Sequence, residues 1–207
     1  MAFYAHTLDS RPMSDWETMS EHEERVAERC REFASRIDPE LKAWGDLLGR
    51  WHDLGKYSDE FQRYISLANR SGDDDSHRGE IRGRVDHSTA AAQWVAKRCD
   101  RYGTLFAYVF AGHHAGLADW DDGESHSGLR HRLTKEICDW KKNAPRDLAE
   151  LDIPAFPNLA NMGTCPPANA GDASFRVQFF CRMIFSCLVD ADFLATELFM
   201  SKERADQ

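Results

Sequence analysis

The chain has 207 residues, 42% hydrophobic and 29% charged, which is enough for one domain with a sizeable core and ordinary for a water-exposed fold. Its formal net charge of −9 argues against a protein that coats nucleic acid through a broad basic face, while leaving local contact with a single strand open. No apolar run suits a membrane span, since Arg176, Gln178 and Arg182 interrupt the most apolar segment, 175–189, and the N-terminus lacks a secretory pattern, so a cytoplasmic location is expected.

Residues 1–13 read as extended or irregular. Ser14-Asp15-Trp16-Glu17 matches a capping box and predicts a first helix starting at Ser14. Trp16, Met19, Val26, Cys30, Phe33 and Ile37 follow at helical spacing, with His22 on the same face. Asp38-Pro39 opens a second helix, whose inner face runs through Leu41, Trp44, Leu48, Trp51 and His52 and which Gly55 ends. A third helix starts at Ser58. Residues 69–85, rich in Gly, Asp and Arg, read as a mobile loop with His77 solvated. Asp86-His87-Ser88 opens a fourth helix. A fifth runs from about Gly103 to Ala115 and closes in Gly112-His113-His114-Ala115-Gly116, where the glycines would let a metal or phosphate approach the backbone.

Residues 117–127 form an acidic loop. Leu129, Leu133, Ile137 and Trp140 mark a shorter amphipathic helix. The proline-rich stretch 143–172 is the longest irregular segment, a length that signals function or disorder. The last helix, from about Asp172 to Met200, is apolar nearly all round, which predicts a central, buried helix. Asp190 and Asp192 sit inside it, and buried carboxylates need a partner or a metal. The six cysteines form no C-x-x-C pair and read as reduced core residues. With no strand-like alternation, repeat or linker, 1–207 reads as one all-α domain: a helical bundle with a buried C-terminal helix and long irregular loops.

The chemistry gathers around Trp51-His52-Asp53-Leu54-Gly55-Lys56. His22, His52, Asp53, His87, His113, His114 and one of Asp190 or Asp192 exceed what one tetrahedral ion needs. They suit two ions about 3.5–4 Å apart, bridged by Asp53. Nitrogen and oxygen donors without thiolate favour Mn, Fe, Co, Ni or Zn over Mg or Ca, Mg remaining admissible. Two such ions acidify a water and clamp an in-line displacement at phosphorus, and Lys56 is placed to neutralise charge on a phosphoryl oxygen. That makes Asp53 and Lys56 the candidate catalytic residues.

The order H…HD…H…HH…D on a helical scaffold resembles the HD phosphohydrolase superfamily. The phrases YAHT, W-x-x-M-x-x-H, WHDLGKYSDEFQRYI, DHSTAAA, AGHHAG and LVDADFLATE are similar to the nuclease domain of the CRISPR-associated helicase–nuclease of type I systems. The resemblance spans His6 to Glu197. It implies metal-dependent cutting of single-stranded DNA, in antiviral defence, in the strand that a guide-RNA surveillance complex displaces. It assigns His22, His52, Asp53, His87, His113, His114 and Asp192 as metal ligands and Lys56 as the family's lysine, and it puts His6 outside the ligand shell; Ser88 and Asp190 are further candidates for that outer position.

The family's usual protein continues into a helicase, and no Walker-type glycine loop occurs here, so a stand-alone subunit or an excised domain working with a helicase is expected. Two other functions use the same residues: a phosphohydrolase of nucleotides or cyclic dinucleotides, and a non-catalytic docking module. Any positive surface for DNA would come from Arg78, Arg82, Arg84, Lys56 and Lys135, or from the helicase.

Overall fold

The computed structural model describes residues 2–8, 11–71, 85–99, 102–123, 127–157 and 167–205. Two short strands, β1 (Tyr4–His6) and β2 (Glu17–Thr18), pair antiparallel and set His6 opposite Glu17. The other regular elements among the described residues are helical: α1 (Met19–Ile37), α2 (Lys42–Trp51), α3 (Asp59–Ser71), α4 (Ser88–Arg98), α5 (Gly103–Gly112), α6 (Leu129–Thr134), α7 (Arg146–Ala149) and α8 (Ala170–Ala205), with short 3-10 turns between them.

The first helix begins later than the sequence pattern suggests. The capping box is Thr18 with Glu21: the Glu21 amide donates to Thr18 Oγ1 at 3.3 Å and the Thr18 amide to Glu21 Oε2 at 3.0 Å. Ser14 lies in a separate 3-10 turn, and Glu17 is in β2 and buried. Both four-residue windows fit a capping box; strand pairing claims the earlier one. Asp38 does cap a turn, Pro39–Leu41, that runs into α2, its carboxylate accepting from the Glu40 amide.

Helix α1 buries Met19, His22, Glu23, Val26, Ala27, Cys30 and Ala34 along one stripe. It meets α2 at backbone distance: a Cβ on Gly49 would lie 2.3 Å from the Ala27 Cα. That approach carries His22 of α1 to the end of α2, where His52 stands. Helix α2 stops at Trp51, and the chain turns through His52 and Asp53 into a 3-10 turn, Leu54–Tyr57. Gly55 therefore lies inside a turn and does not end α2. Its missing side chain serves another purpose, because a Cβ there would fall 2.3 Å from the His87 carbonyl oxygen. The start of α4 rests directly on this turn.

The core fills the space among α1, α2, α4, α5 and α8, with Trp44 stacked on Phe106 at 3.6 Å between ring centroids. Helix α8 is only half-buried, which corrects the expectation of a central buried helix. Phe180, Ile184, Cys187, Leu188, Ala191 and Ala195 recur at three and four residues and take the inner face. Phe175, Phe179 and Phe193 fall on the outer face, 64%, 54% and 49% exposed. The helix buried nearly all round is α5.

Helix α6 ends at Thr134, before Ile137 and Trp140. Gln93 Nε2 donates to the carbonyls of Arg132 and Lys135 at 2.8 and 2.9 Å, engaging acceptors that another helical turn would use. Part of the proline-rich stretch is strapped down: the indole nitrogens of Trp44, Trp51 and Trp94 donate to the carbonyls of Ala155, Leu148 and Ala149. Residues 158–166 lie outside the described residues, as do 72–84 with His77, Arg78, Arg82 and Arg84. The five described cysteines are free thiols. Among the described residues no helix is long and apolar enough to cross a membrane.

Candidate metal centre

Five segments supply the cluster. The end of α1's first turn gives His22, the turn after α2 gives His52 and Asp53, the residue before α4 gives His87, and the turn closing α5 gives His113 and His114. Helix α8 adds Asp192. All converge on Asp53, whose side chain is fully buried. Its Oδ2 lies 3.1 Å from His52 Nε2 and 3.5 Å from His22 Nε2. Its Oδ1 lies 3.5 Å from His113 Nε2 and 3.6 Å from His87 Nε2. Asp192 Oδ1 joins the Oδ2 side, 3.2 Å from His22 Nε2 and 3.7 Å from His52 Nε2. His114 joins the other side, its ring 4.0 Å from that of His113 and 4.8 Å from that of His87. Two candidate ligand groups thus share one carboxylate: His22, His52 and Asp53, and Asp53, His87, His113 and His114.

The imidazoles are turned by their other nitrogens. His52 Nδ1 lies 2.7 Å from the Gly49 carbonyl, His113 Nδ1 2.7 Å from the Phe110 carbonyl, and His87 Nδ1 3.2 Å from the Val85 carbonyl. A carbonyl only accepts, so each Nδ1 carries the proton and, in the neutral ring, each Nε2 presents a lone pair to Asp53. Asp53 Oδ1, His87 Nε2 and His113 Nε2 are buried with no hydrogen-bond partner. Orphaned acceptors of this kind, aimed at one point, are what a cation satisfies, and the residues fit a metal.

The ionisation of the cluster follows from its crowding. Burial opposes the charge on Asp53, but His52 and Lys56 outweigh it and hold the carboxyl well below its ordinary range. Asp192 is likewise depressed, with His22 and His52 overcoming its burial. In return, Asp53 and Asp192 overcome the burial of His52 and push its pKa up to about 9, and His22 is also raised. His87 goes the other way: burial lowers it to about 3 against the pull of Asp53.

Lys56 is buried, with Nζ 2.8 Å from Asp53 Oδ2 and 3.3 Å from the Ala5 carbonyl. Its ammonium is engaged by Asp53 and the backbone, so it does not form part of an exposed positive surface. Lys135 is likewise paired, with Asp86. Asp190 is exposed on α8 and apart from the cluster, so of the two acids Asp192 is the one that reaches the histidines. Ser88 stands behind the site: its Oγ donates to the Ala111 carbonyl at 3.4 Å and accepts from Arg132 Nη1 at 3.2 Å, tying the start of α4 to the end of α5. His6 is also behind it, 2.7 Å from Glu17 and with its ring against His22.

Two buried acids escaped the sequence reading. Glu17 was absorbed into a supposed helix cap. Glu23 follows a histidine on a helix that looks charged; its Oε2 accepts from the Tyr57 hydroxyl at 3.3 Å, its Oε1 has no partner, and burial lifts its pKa to about 8. Nothing in the local sequence distinguishes these two from the exposed glutamates around them.

Comparison with curated protein sequences finds no match. A family model described as the HD domain of Cas3 matches residues 1–161, a range that holds every residue of the cluster except Asp192. Asp192 lies beyond that range, and its geometry places it beside His22 and His52. With more than half of its length matched, the chain belongs to the family of Cas3 HD domains of type I CRISPR systems.

Proposed function

We propose that this chain is a metal-dependent nuclease that hydrolyses phosphodiester bonds of single-stranded DNA in CRISPR interference. The family is one of CRISPR-associated HD nucleases, and HD domains hold divalent metals in His/Asp clusters of this kind. The observation that carries the reading is the division at Asp53, with one oxygen facing His22 and His52 and the other facing His87 and His113. A carboxylate so placed suits two ions, one held by His22, His52, Asp53 and Asp192, the other by Asp53, His87, His113 and His114. The donor set favours Mn, Fe, Co, Ni or Zn over Mg.

Bound ions of this type acidify water and neutralise charge on a transferring phosphoryl group. The chain's own residues do the positioning. Asp53 is the shared ligand. Lys56 holds Asp53 ionised and oriented, which makes it a positioning residue. His114 and Asp192, the least buried of the set, mark the side from which a strand reaches the cluster. The net charge of −9 is best reconciled with DNA if an associated helicase and the guide-RNA complex deliver the strand.

The test is circular single-stranded DNA incubated with the chain and Mn or Ni, beside Asp53→Ala and a panel of mononucleotides and cyclic dinucleotides. Cleavage of the circle by the wild type and none by Asp53→Ala is expected. Turnover of a nucleotide with the DNA left intact would move the assignment to a small-molecule phosphohydrolase. No uptake of transition metal at pH 8 would leave a docking module.

A further inference from the structure

We propose that Glu17 is a positioning residue for the candidate metal centre: one carboxylate fixes the orientation of two histidines, His22 and His6, so that each turns its Nε2 toward the Asp53 cluster. This rests on the reading that the cluster holds metal.

The placement is built by the strand pair. β1 and β2 set His6 opposite Glu17, and the turn from β2 into α1 brings His22 beside the same carboxylate. Glu17 Oε2 lies 2.7 Å from His6 Nδ1 and 3.3 Å from His22 Nδ1. The second contact is long and poorly aligned, yet no hydrogen bond ties His22 Nδ1 to any other group. Glu17 Oε1 is taken by Arg25 Nη1. A carboxylate with a guanidinium on one oxygen and two imidazoles beside the other has both oxygens engaged by the protein. For that reason the group His6, Glu17 and His22, although close enough to hold an ion, is better described as an orienting network than as a further metal site.

The consequence follows from proton counting. A carboxylate accepts, so His6 Nδ1 carries a proton, and the proposed orientation puts the second on His22 Nδ1, 3.3 Å from the same oxygen. With its proton donated to Glu17, His6 turns its other ring nitrogen, Nε2, to the Lys56 ammonium at 3.5 Å. Lys56 in turn lies 2.8 Å from Asp53. His22, with its proton directed to Glu17, turns Nε2 to Asp53 and Asp192. Glu17 therefore reaches the shared ligand by two routes, one through His22 and one through His6 and Lys56. Among the described residues the other three buried histidines, His52, His87 and His113, take their orientation from backbone carbonyls, which no substitution removes; His22 stands against a side chain. Carboxylates behind ligating histidines set metal affinity in this way.

The experiment measures Mn or Zn affinity by competition with a chromophoric chelator, beside the melting temperature of the metal-free chain. Glu17→Gln is expected to weaken binding by about 10–100-fold. Ala34→Gly, far along α1, lowers the melting temperature while leaving affinity within about threefold. Glu17→Gln binding metal as the wild type does, or Ala34→Gly weakening it equally, overturns the role. Should Glu17→Gln fail to fold, 15N NMR of the Zn-loaded wild type decides: a protonated His22 Nδ1 is expected, and a metal-bound Nδ1 overturns the proposal. A wild-type chain that binds metal but cuts no DNA would sink the nuclease reading and leave this role standing; one that takes up no metal would sink both.

Discussion

The two sides of Asp53 are built on different principles. On the Oδ2 side, His22, His52 and Asp192 stand among carboxylates, and both histidines are held toward the protonated form, His52 with a pKa of about 9. On the Oδ1 side, His87 and His113 lean on backbone carbonyls, and burial keeps His87 neutral with a pKa of about 3. One side is crowded with acids whose charge protons compensate until a cation replaces them; on the other, burial already holds His87 neutral. Two ions bound here would therefore enter by different routes, one displacing protons and the other meeting bare lone pairs.

Stoichiometry tests that division most severely. Wild type is expected to hold two Mn or Ni ions per chain by elemental analysis, and His52→Ala and His113→Ala one each, with single-strand cleavage abolished in both. If His113→Ala kept two ions, the carboxylate would not divide the site as drawn.

Next come the two glycines that bring each side to Asp53. Gly49→Ala pushes α1 off α2, and Gly55→Ala pushes the His87 backbone off the turn, both against backbone 2.3 Å from the new Cβ. Each is expected to destabilise the chain by about 1–3 kcal/mol in chemical denaturation. Gly49→Ala should weaken the ion at His22 and His52, and Gly55→Ala the ion at His87 and His113. Equal loss of both ions in either variant would mean that the halves are not independent.

The pH dependence of stability sharpens the contrast further. His52 has a folded pKa of about 9 against an ordinary 6.5, and Glu23 about 8 against 4.5. Both are raised, so their contributions are complete below the ordinary values and fade as pH climbs through the folded ones. Asp53 and Asp192 are depressed and contribute above their ordinary 3.8, their share lost in strong acid. His87 and His6 are depressed from their ordinary 6.5, so their share is lost as pH falls below that value, and the metal-free chain should melt highest near pH 6–7 and lose several degrees by pH 9. Saturating Mn should reverse that alkaline loss, and Glu23→Gln should flatten part of it.

The smallest effect separates the two acids of α8. Asp190→Ala should leave metal content and melting temperature unchanged, whereas Asp192→Ala weakens only the ion on the His22 side.

Much of this was legible before any coordinates. Helical spacing gave the cores of α1 to α5 and the all-α class, and the histidines and Asp53 stood out because imidazoles on inner faces need partners. The misreadings share one cause. Ser14–Glu17 fits a helix cap locally, but pairing with residues 4–6 makes it a strand and turns Glu17 inward. The apolar wealth of α8 suggested full burial, yet composition does not say which face finds neighbours. That β1 and Asp53 engage Lys56 is visible only in the tertiary structure.

The amino-acid order by itself determined which residue types lie on one face of each helix, and so which imidazoles and acids were available to meet. It could not determine that Asp53 turns one oxygen to each pair of histidines, or that Glu17 stands behind one of them. Those facts depend on how closely backbones pack at Gly49 and Gly55 and on a strand pair a few residues long, contacts between segments far apart in sequence. Local periodicity carries no record of such distances, because they are set by what each segment meets once the chain has closed.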